Sequence, residues 1–222
     1  MTDHLVHQEN AFQILLSGKF SLKRTKCTFA QTQLEYLGHI VSGRGVKPVP
    51  EKLHAIQEWP LPQTVKALRS FLGLVGFYRR FIKGYTKIVV PLSQLLCKGQ
   101  FRWSELATVA FNTLKKAIST TLVLALPNFD IPFVVETDAS GIGVGVVLSQ
   151  AGHPITFFSK EFCPKLRASS TYIRELVAIM TAVKKWHHYL LGHPFVILTD
   201  HQSLQDLMTQ AVQTSEQHRY LI

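Results

Sequence analysis

Two apolar, β-branched runs in this chain end in the same dipeptide: Phe133-Val-Val-Glu-Thr-Asp138 and Phe195-Val-Ile-Leu-Thr-Asp200. Each reads as a strand. Parallel or neighbouring strands that end together would carry both aspartates to one edge of a sheet. A third acid, Glu175, sits near the start of a helical pattern whose apolar stripe is Tyr172, Leu176, Ile179, Met180, Val183, Trp186 and Leu190. Glu175 follows Tyr172 by three residues and precedes Ile179 by four, on the inward-tending face. A lone carboxylate there is costly, so it must be paired, capped or ligating. An acid in a helix's first turns also interacts favourably with the helix dipole, which is the structural alternative. As hard oxygen donors, Asp138, Glu175 and Asp200 favour Mg²⁺ or Mn²⁺ over zinc. Two such ions about 4 Å apart can activate water and stabilise the leaving oxygen in phosphodiester hydrolysis. The trio is therefore the candidate catalytic and metal-binding set.

The elements around the trio follow the order βββαβα. Strands are expected at Phe133–Thr137, Gly143–Leu148, Ile155–Ser159 and Phe195–Thr199, a long helix from Ser170 to Leu191, and a last helix from Gln202 to Met208. The chain as a whole is expected to be mixed α/β. Ahead of the strands the pattern is helical. A short amphipathic helix spans Leu5 to Leu16 and stops at Gly18. Phe20–Leu22 and Cys27–Phe29 are short strand candidates, and Leu34–Val46 reads as a β-hairpin. Prolines 48, 50, 60 and 62 bracket a helix over 51–58. Thr64 suits the N-cap of another through Phe77. Gly73 and Gly76 within it imply either a close backbone neighbour or a break into two helices. Helices at 88–97 and 105–118 follow, the second capped by Ser104, before a turn at Pro127–Asp130.

Charge divides the chain. Of the net +10, +9 falls between Arg44 and Arg102, where eleven Lys and Arg face only Glu51 and Glu58. A basic block beside a neutral one suggests a phosphate-tracking segment joined to a differently specialised unit, although a merely solvated basic surface has the same composition. Tyr78-Arg-Arg-Phe-Ile-Lys83 interleaves aromatics with cations. It suits a nucleic-acid backbone, or else it buries Tyr78, Phe81 and Ile82 and leaves the cations in water. Three scattered cysteines with no Cys-x-x-Cys argue for reduced thiols inside a cell, cytoplasmic or nuclear. No Cys/His pair has finger spacing, which argues against structural zinc. No run of eighteen apolar residues occurs, so no membrane partner is expected.

Ordered motifs along nearly the whole length resemble the polymerase-to-nuclease portion of a gypsy-class LTR retrotransposon Pol polyprotein. They include Lys26-Cys-Thr-Phe29, Tyr36-Leu-Gly-His-Ile-Val-Ser42, Trp59-Pro-Leu-Pro62, Leu68-Arg-Ser-Phe-Leu-Gly73 and Phe77-Tyr-Arg-Arg-Phe-Ile82. The second half adds Thr137-Asp-Ala-Ser140, Gly145-Val-Val-Leu-Ser-Gln150, Tyr172-Ile-Arg-Glu-Leu176, Lys185-Trp-His-His-Tyr-Leu-Leu-Gly192 and Thr199-Asp-His-Gln-Ser-Leu204. The resemblance implies four parts. Residues 1–47 would be the end of a polymerase palm with a primer-gripping hairpin, 48–98 a basic helical thumb, 99–130 a tether, and 131–222 an RNase H-like mixed-sheet domain. It implies Asp138, Glu175 and Asp200 as metal-binding carboxylates for cleaving the RNA strand of a hybrid. Tyr36, Gly38, His39, Arg69, Tyr78, Arg79, Arg80, Lys83 and Lys87 would contact RNA/DNA hybrid or DNA duplex, and the rest of the Pol polypeptide is an expected associate.

Two departures bear on activity. The chain has no Asp-Asp pair, so DNA synthesis by it alone is not expected. The family's fourth carboxylate would fall beyond Ile222, which implies a C-terminally truncated nuclease domain with a weakened site. A non-catalytic nucleic-acid-binding remnant and a decayed reading frame are the alternatives.

Overall fold

The computed structural model of the chain describes residues 2–97, 99, 101–121 and 123–200. The expected helix at 202–208 lies outside them. Helix α1 (Thr2–Ser17) leads the chain and is exposed along most of its length. The expected strands at Phe20–Leu22 and Cys27–Phe29 are absent. The segment is extended coil around a 3-10 turn at Arg24–Lys26. Three-residue apolar runs without a pairing edge cannot offset the entropy of ordering them.

Next comes a meander of three strands, β1 (Gln33–Tyr36), β2 (His39–Ser42) and β3 (Gly45–Pro48), where one hairpin was expected. Leu37 and Gly38 turn β1 into β2 with φ of 47° and 75°, the two positive angles that a tight two-residue hairpin turn demands. β3 is held from its other side by a bridge to Leu124. Val46 N donates to Leu124 O at 2.8 Å and Leu124 N to Val46 O at 2.9 Å.

Four helices then share one apolar core: α2 (Pro50–Gln57), α3 (Val65–Phe77), α4 (Tyr85–Gln94) and α5 (Glu105–Ser119). Ile56, Leu68, Phe71, Val75, Leu92, Phe111 and Leu114 are buried in it. The capping expectations hold locally. Thr64 Oγ1 accepts from Ala67 N at 3.1 Å, and Ser104 Oγ from Ala107 N at 3.2 Å. α3 runs unbroken past both glycines. A Cβ at Gly73 would meet open space, so no close backbone neighbour explains that residue. α5, on the stretch expected to be a tether, packs into the helical core through Ala107, Phe111, Leu114 and Ile118.

The second half is a four-stranded sheet of β4 (Phe133–Ala139), β5 (Gly143–Gln150), β6 (His153–Glu161) and β7 (Phe195–Thr199), in the order β6-β5-β4-β7. β4 pairs antiparallel with β5 and parallel with β7. Between β6 and β7 lie α6 (Pro164–Arg167), α7 (Thr171–Lys185) and α8 (His187–Leu190). The single helix expected from Ser170 to Leu191 is thus two. Trp186, with φ −110° and ψ 20°, breaks it, and its ring is buried under the sheet beside Leu190. α7 covers the face carrying Phe133, Val135, Val146 and Leu148. The opposite face receives the helical core. Phe157 of β6 packs against it, and Thr86 N at the start of α4 donates to Ser159 Oγ at 2.9 Å. No helix among the described residues is long and apolar enough to cross a membrane.

The bridge between β3 and Leu124 leaves no space at Gly45, whose φ is 125° and where an added Cβ would lie 2.2 Å from Leu124 O. Gly45→Ala is expected to destabilise the chain by about 2 kcal/mol or more, since it combines backbone strain with a clash that only backbone movement relieves. A urea midpoint unchanged from that of the unsubstituted chain would count against this reading of the bridge.

Candidate functional site

The parallel pairing of β4 with β7 sets Thr137 opposite Thr199. Asp138 and Asp200 each follow a member of that pair, so both acids stand at the same end of adjacent strands, and both are exposed. Glu175 reaches this end from the first turns of α7 and is 2% exposed. Its Oε1 accepts a hydrogen bond from Ala139 N at 3.0 Å, one residue past Asp138. The buried helix carboxylate therefore fastens α7 to the end of β4. Asp138 has a different partner. Its Oδ2 accepts from Lys87 Nζ of α4 at 3.1 Å.

This ion pair spans a cleft of about 240 Å³ between the start of α4 and the sheet. Lys83 and Lys87 line one wall, and Glu136, Asp138 and Ser159 the other. Sequence reasoning missed Glu136. The signal for it was strand alternation, because Glu136 and Asp138 are two residues apart on β4 and share a face.

Chemically the three carboxylates fit a hard divalent cation. Geometrically the set is not closed. Among the described residues no group of three His, Cys, Asp or Glu side chains is disposed to hold an ion. One oxygen of Glu175 is engaged with backbone, and one of Asp138 with an ammonium.

The residues expected to touch nucleic acid divide by burial. Arg69, Arg79, Lys83, Lys87 and Tyr36 are exposed, while Arg80 is half-buried with Cζ 5.9 Å from the centre of the Phe81 ring. Tyr78 is the correction: at 1% exposure it cannot present its ring to a ligand. Its hydroxyl donates to Gly38 O at 3.1 Å and so ties the β1–β2 turn to the end of α3. The interleaved Tyr78–Lys83 segment thus resolves by burial, with Tyr78, Phe81 and Ile82 inside and Arg79 and Lys83 outside. Gly38 lies in the turn itself. His39 is half-buried, stacked on Phe77 at 5.1 Å between centroids and 15° between planes, with Tyr78 and Phe81 around it. Burial, and then the nearby Arg80 guanidinium, hold the His39 pKa below the usual histidine value of 6.5. Burial, and then Glu35, push the Tyr78 hydroxyl above its ordinary range.

Residues 103–197 match the RNase H-like domain found in reverse transcriptase. The retrovirus-related Pol polyprotein from transposon 297 of Drosophila melanogaster is 41% identical over 207 residues, which is 92% of this chain and 20% of that protein. The corresponding polyprotein from transposon gypsy of the same organism is 38% identical over 91% of this chain and 21% of its own length. The chain belongs to the gypsy-class retrotransposon Pol family. It spans about a fifth of those polyproteins. The fold has a solved counterpart in the foamy viral protease–reverse transcriptase in complex with RNA/DNA hybrid. That structure superposes with a TM-score of 0.80 over all of this chain and 32% of that one, at 24% identity. This Pol segment is thus a reverse transcriptase/RNase H-like unit in sequence and in fold.

The different surroundings of the carboxylates separate their effects. Glu175→Ala should cost about 2–3 kcal/mol, because it removes a charge-assisted bond to buried backbone. Asp138→Ala, which loses only an exposed ion pair, should change stability by less than about 1 kcal/mol. Equal losses in chemical denaturation would contradict this assignment.

His39 predicts a pH dependence. Because its folded pKa lies below 6.5, the unfolded chain takes up the proton first as pH falls. This contribution to stability is full above 6.5 and is lost as pH drops below it toward the folded value. His39→Gln should flatten the fall in denaturation midpoint between neutral pH and mild acid, and an unchanged fall would remove His39 as its source.

Proposed function

We propose that the chain binds RNA/DNA hybrid, or DNA duplex, along the exposed cations of α3, the Arg79–Phe81 turn and α4. We further propose that Asp138, Glu175 and Asp200 are its ligands for Mg²⁺ or Mn²⁺ in hydrolysis of the hybrid's RNA strand. The observation that carries this reading is the docking of the basic helices onto the carboxylate end of the sheet, with Lys87 3.1 Å from Asp138. A duplex held by Arg69, Arg79 and Lys83 would lie beside the acids instead of on a separate body. Such cations read phosphate and helix shape, so binding should be salt-sensitive and nearly independent of sequence. A divalent metal held by Asp138, Glu175 and Asp200 would supply an activated water and charge neutralisation at the scissile phosphate. The chain's own residues shape the sheet end where it would sit: Glu175 fastens α7 to the end of β4, and the β4–β7 register brings Asp138 and Asp200 to the same end of adjacent strands. The foamy viral homologue of this fold was solved with RNA/DNA hybrid and with double-stranded DNA, which supports the same class of partner here. Association with the remainder of Pol and an intracellular setting belong to the same reading. The three free cysteines, two of them exposed, support the second point.

A non-catalytic hybrid-binding role is the second reading. The specific observation in its favour is that the ammonium of Lys87, not a cluster of acids, faces Asp138.

Fluorescence anisotropy with a labelled hybrid tests binding. Affinity should fall steeply with salt, and each of Arg79→Gln and Lys83→Gln should reduce the slope by about 1. Cleavage of the RNA strand that depends on Mg²⁺ or Mn²⁺ and disappears in Asp138→Asn supports the catalytic reading. Binding without such cleavage selects the second, and cleavage that survives Asp138→Asn refutes the carboxylate assignment.

A further inference from the structure

A second cleft, of about 280 Å³, lies along the outer side of β6, the sheet's edge strand. Its floor is Thr156–Ser159. One wall is the end of α3 and the turn after it, with Phe77, Arg79 and Arg80, and the other is the junction of α7 and α8, with Lys185 and His188. None of the residues lining it is acidic. Among the described residues, Arg79, Arg80 and Lys185 form no ion pair, and Nε of Arg80 is buried with no hydrogen-bond partner. Lys185 Nζ stands 5.5 Å from the centre of the Phe158 ring, and Phe77 is 51% exposed, with one face of its ring stacked on His39. Three cations with no ion pair among the described residues therefore converge on a concave site beside one half-exposed aromatic side chain, Phe77. This site adjoins the acidic cleft of Asp138 at Ser159, which lines both, but has no acid in its own lining.

We propose that this cleft binds one nucleotide unit of a single-stranded stretch leading away from the hybrid, with the phosphate on Arg80 and Lys185 and the base against Phe77. The inference extends the hybrid-binding reading and rests on it for the neighbouring duplex. Single strands are favoured over duplex because a paired base cannot turn its face to a protein ring, whereas an unpaired one stacks there readily. The volume sits at the small end of ligand sites, which run from about 300 Å³, and so admits one unit and not several. Lys185 was not among the residues that the motifs marked for nucleic acid, and it joins the nuclease half to a binding surface otherwise built from the helical half.

The test compares, with the full chain, a blunt RNA/DNA hybrid, the same hybrid with a short single-stranded DNA overhang, and the overhang strand alone. The overhang should tighten binding roughly five- to tenfold, the worth of one stack and one phosphate contact. Lys185→Glu at this exposed position should abolish that gain while leaving blunt-hybrid affinity within about twofold, and Lys185→Arg should retain it. Loss of blunt-hybrid binding with Lys185-dependent binding of the single strand would sink the hybrid reading and support this one. Equal affinity for blunt and overhanging hybrids overturns the proposal, as does an equal loss on both in Lys185→Glu. Inorganic phosphate that displaces the single strand at equal concentration would mark the cleft as a phosphate site and overturn the nucleotide assignment.

Discussion

The seating of the helical core on the outer face of the sheet fixes everything else in this molecule. Phe157 enters that core from β6, Thr86 N bonds Ser159 Oγ at the start of α4, and the Val46–Leu124 bridge closes the connection from the other side. Two chemically unlike halves, one strongly basic and one near neutral, thereby become one surface. The relative placement of cations and acids then follows from packing and needs no long-range attraction. Lys87 of α4, and Lys83 just ahead of it, come to lie over β4, because the first turn of α4 is bonded to the strand two places away. The same seating leaves β6 open on its outer side, with Arg79 and Arg80 above it and Lys185 below.

The carboxylates at the sheet end are not equivalent, and the difference is physical. Glu175 is buried and bonded to Ala139 N, so its position is determined by the fold itself. Asp138 is exposed, and its partner is a flexible lysine that gains little from the pairing in water. A site built in this way has one fixed acid and one adjustable acid. A cation arriving at Asp138 needs only to displace an exposed ammonium, whereas moving Glu175 would detach a helix from a strand.

Much of this was legible in the sequence where the local signal and the tertiary environment agree. The Ser104 and Thr64 caps and the Pro-bracketed α2 each rest on a residue type with one physical preference, and each is found in place; β7 ends at Thr199 as expected, whereas β4 runs on through Asp138 to Ala139. The failures have specific causes. Phe20–Leu22 and Cys27–Phe29 have strand-like composition but no neighbour to pair with. The stripe through Trp186 and Leu190 kept helical spacing across a break, because α8 resumes on the same buried side after one residue leaves helical angles. The fifteen residues of α5 could be recognised as a helix but not as part of the helical core, since an amphipathic pattern does not name the surface that it will cover. For the site, the sequence marked Glu175 as the acid that faces inward. It could not reveal Lys87 opposite Asp138, a contact across 51 residues that depends on how two halves dock.

The segment Tyr78–Lys83 shows how a basic surface acquires rigidity. Taken as composition, its aromatics and cations were equally suited to grip nucleic acid. In the fold the two types have separate tasks. Tyr78 bonds Gly38, Phe81 packs beside His39, and the 3-10 turn that follows Tyr78 leaves Arg79 exposed between two anchored aromatics. Arg80 is half-buried against Phe81 with its Nε out of solvent, so its guanidinium is already partly desolvated. A partly desolvated cation on a fixed backbone loses less entropy and hydration on meeting a phosphate than a free surface lysine does. The buried aromatics thus contribute to binding without touching the ligand, by preparing the cations that do.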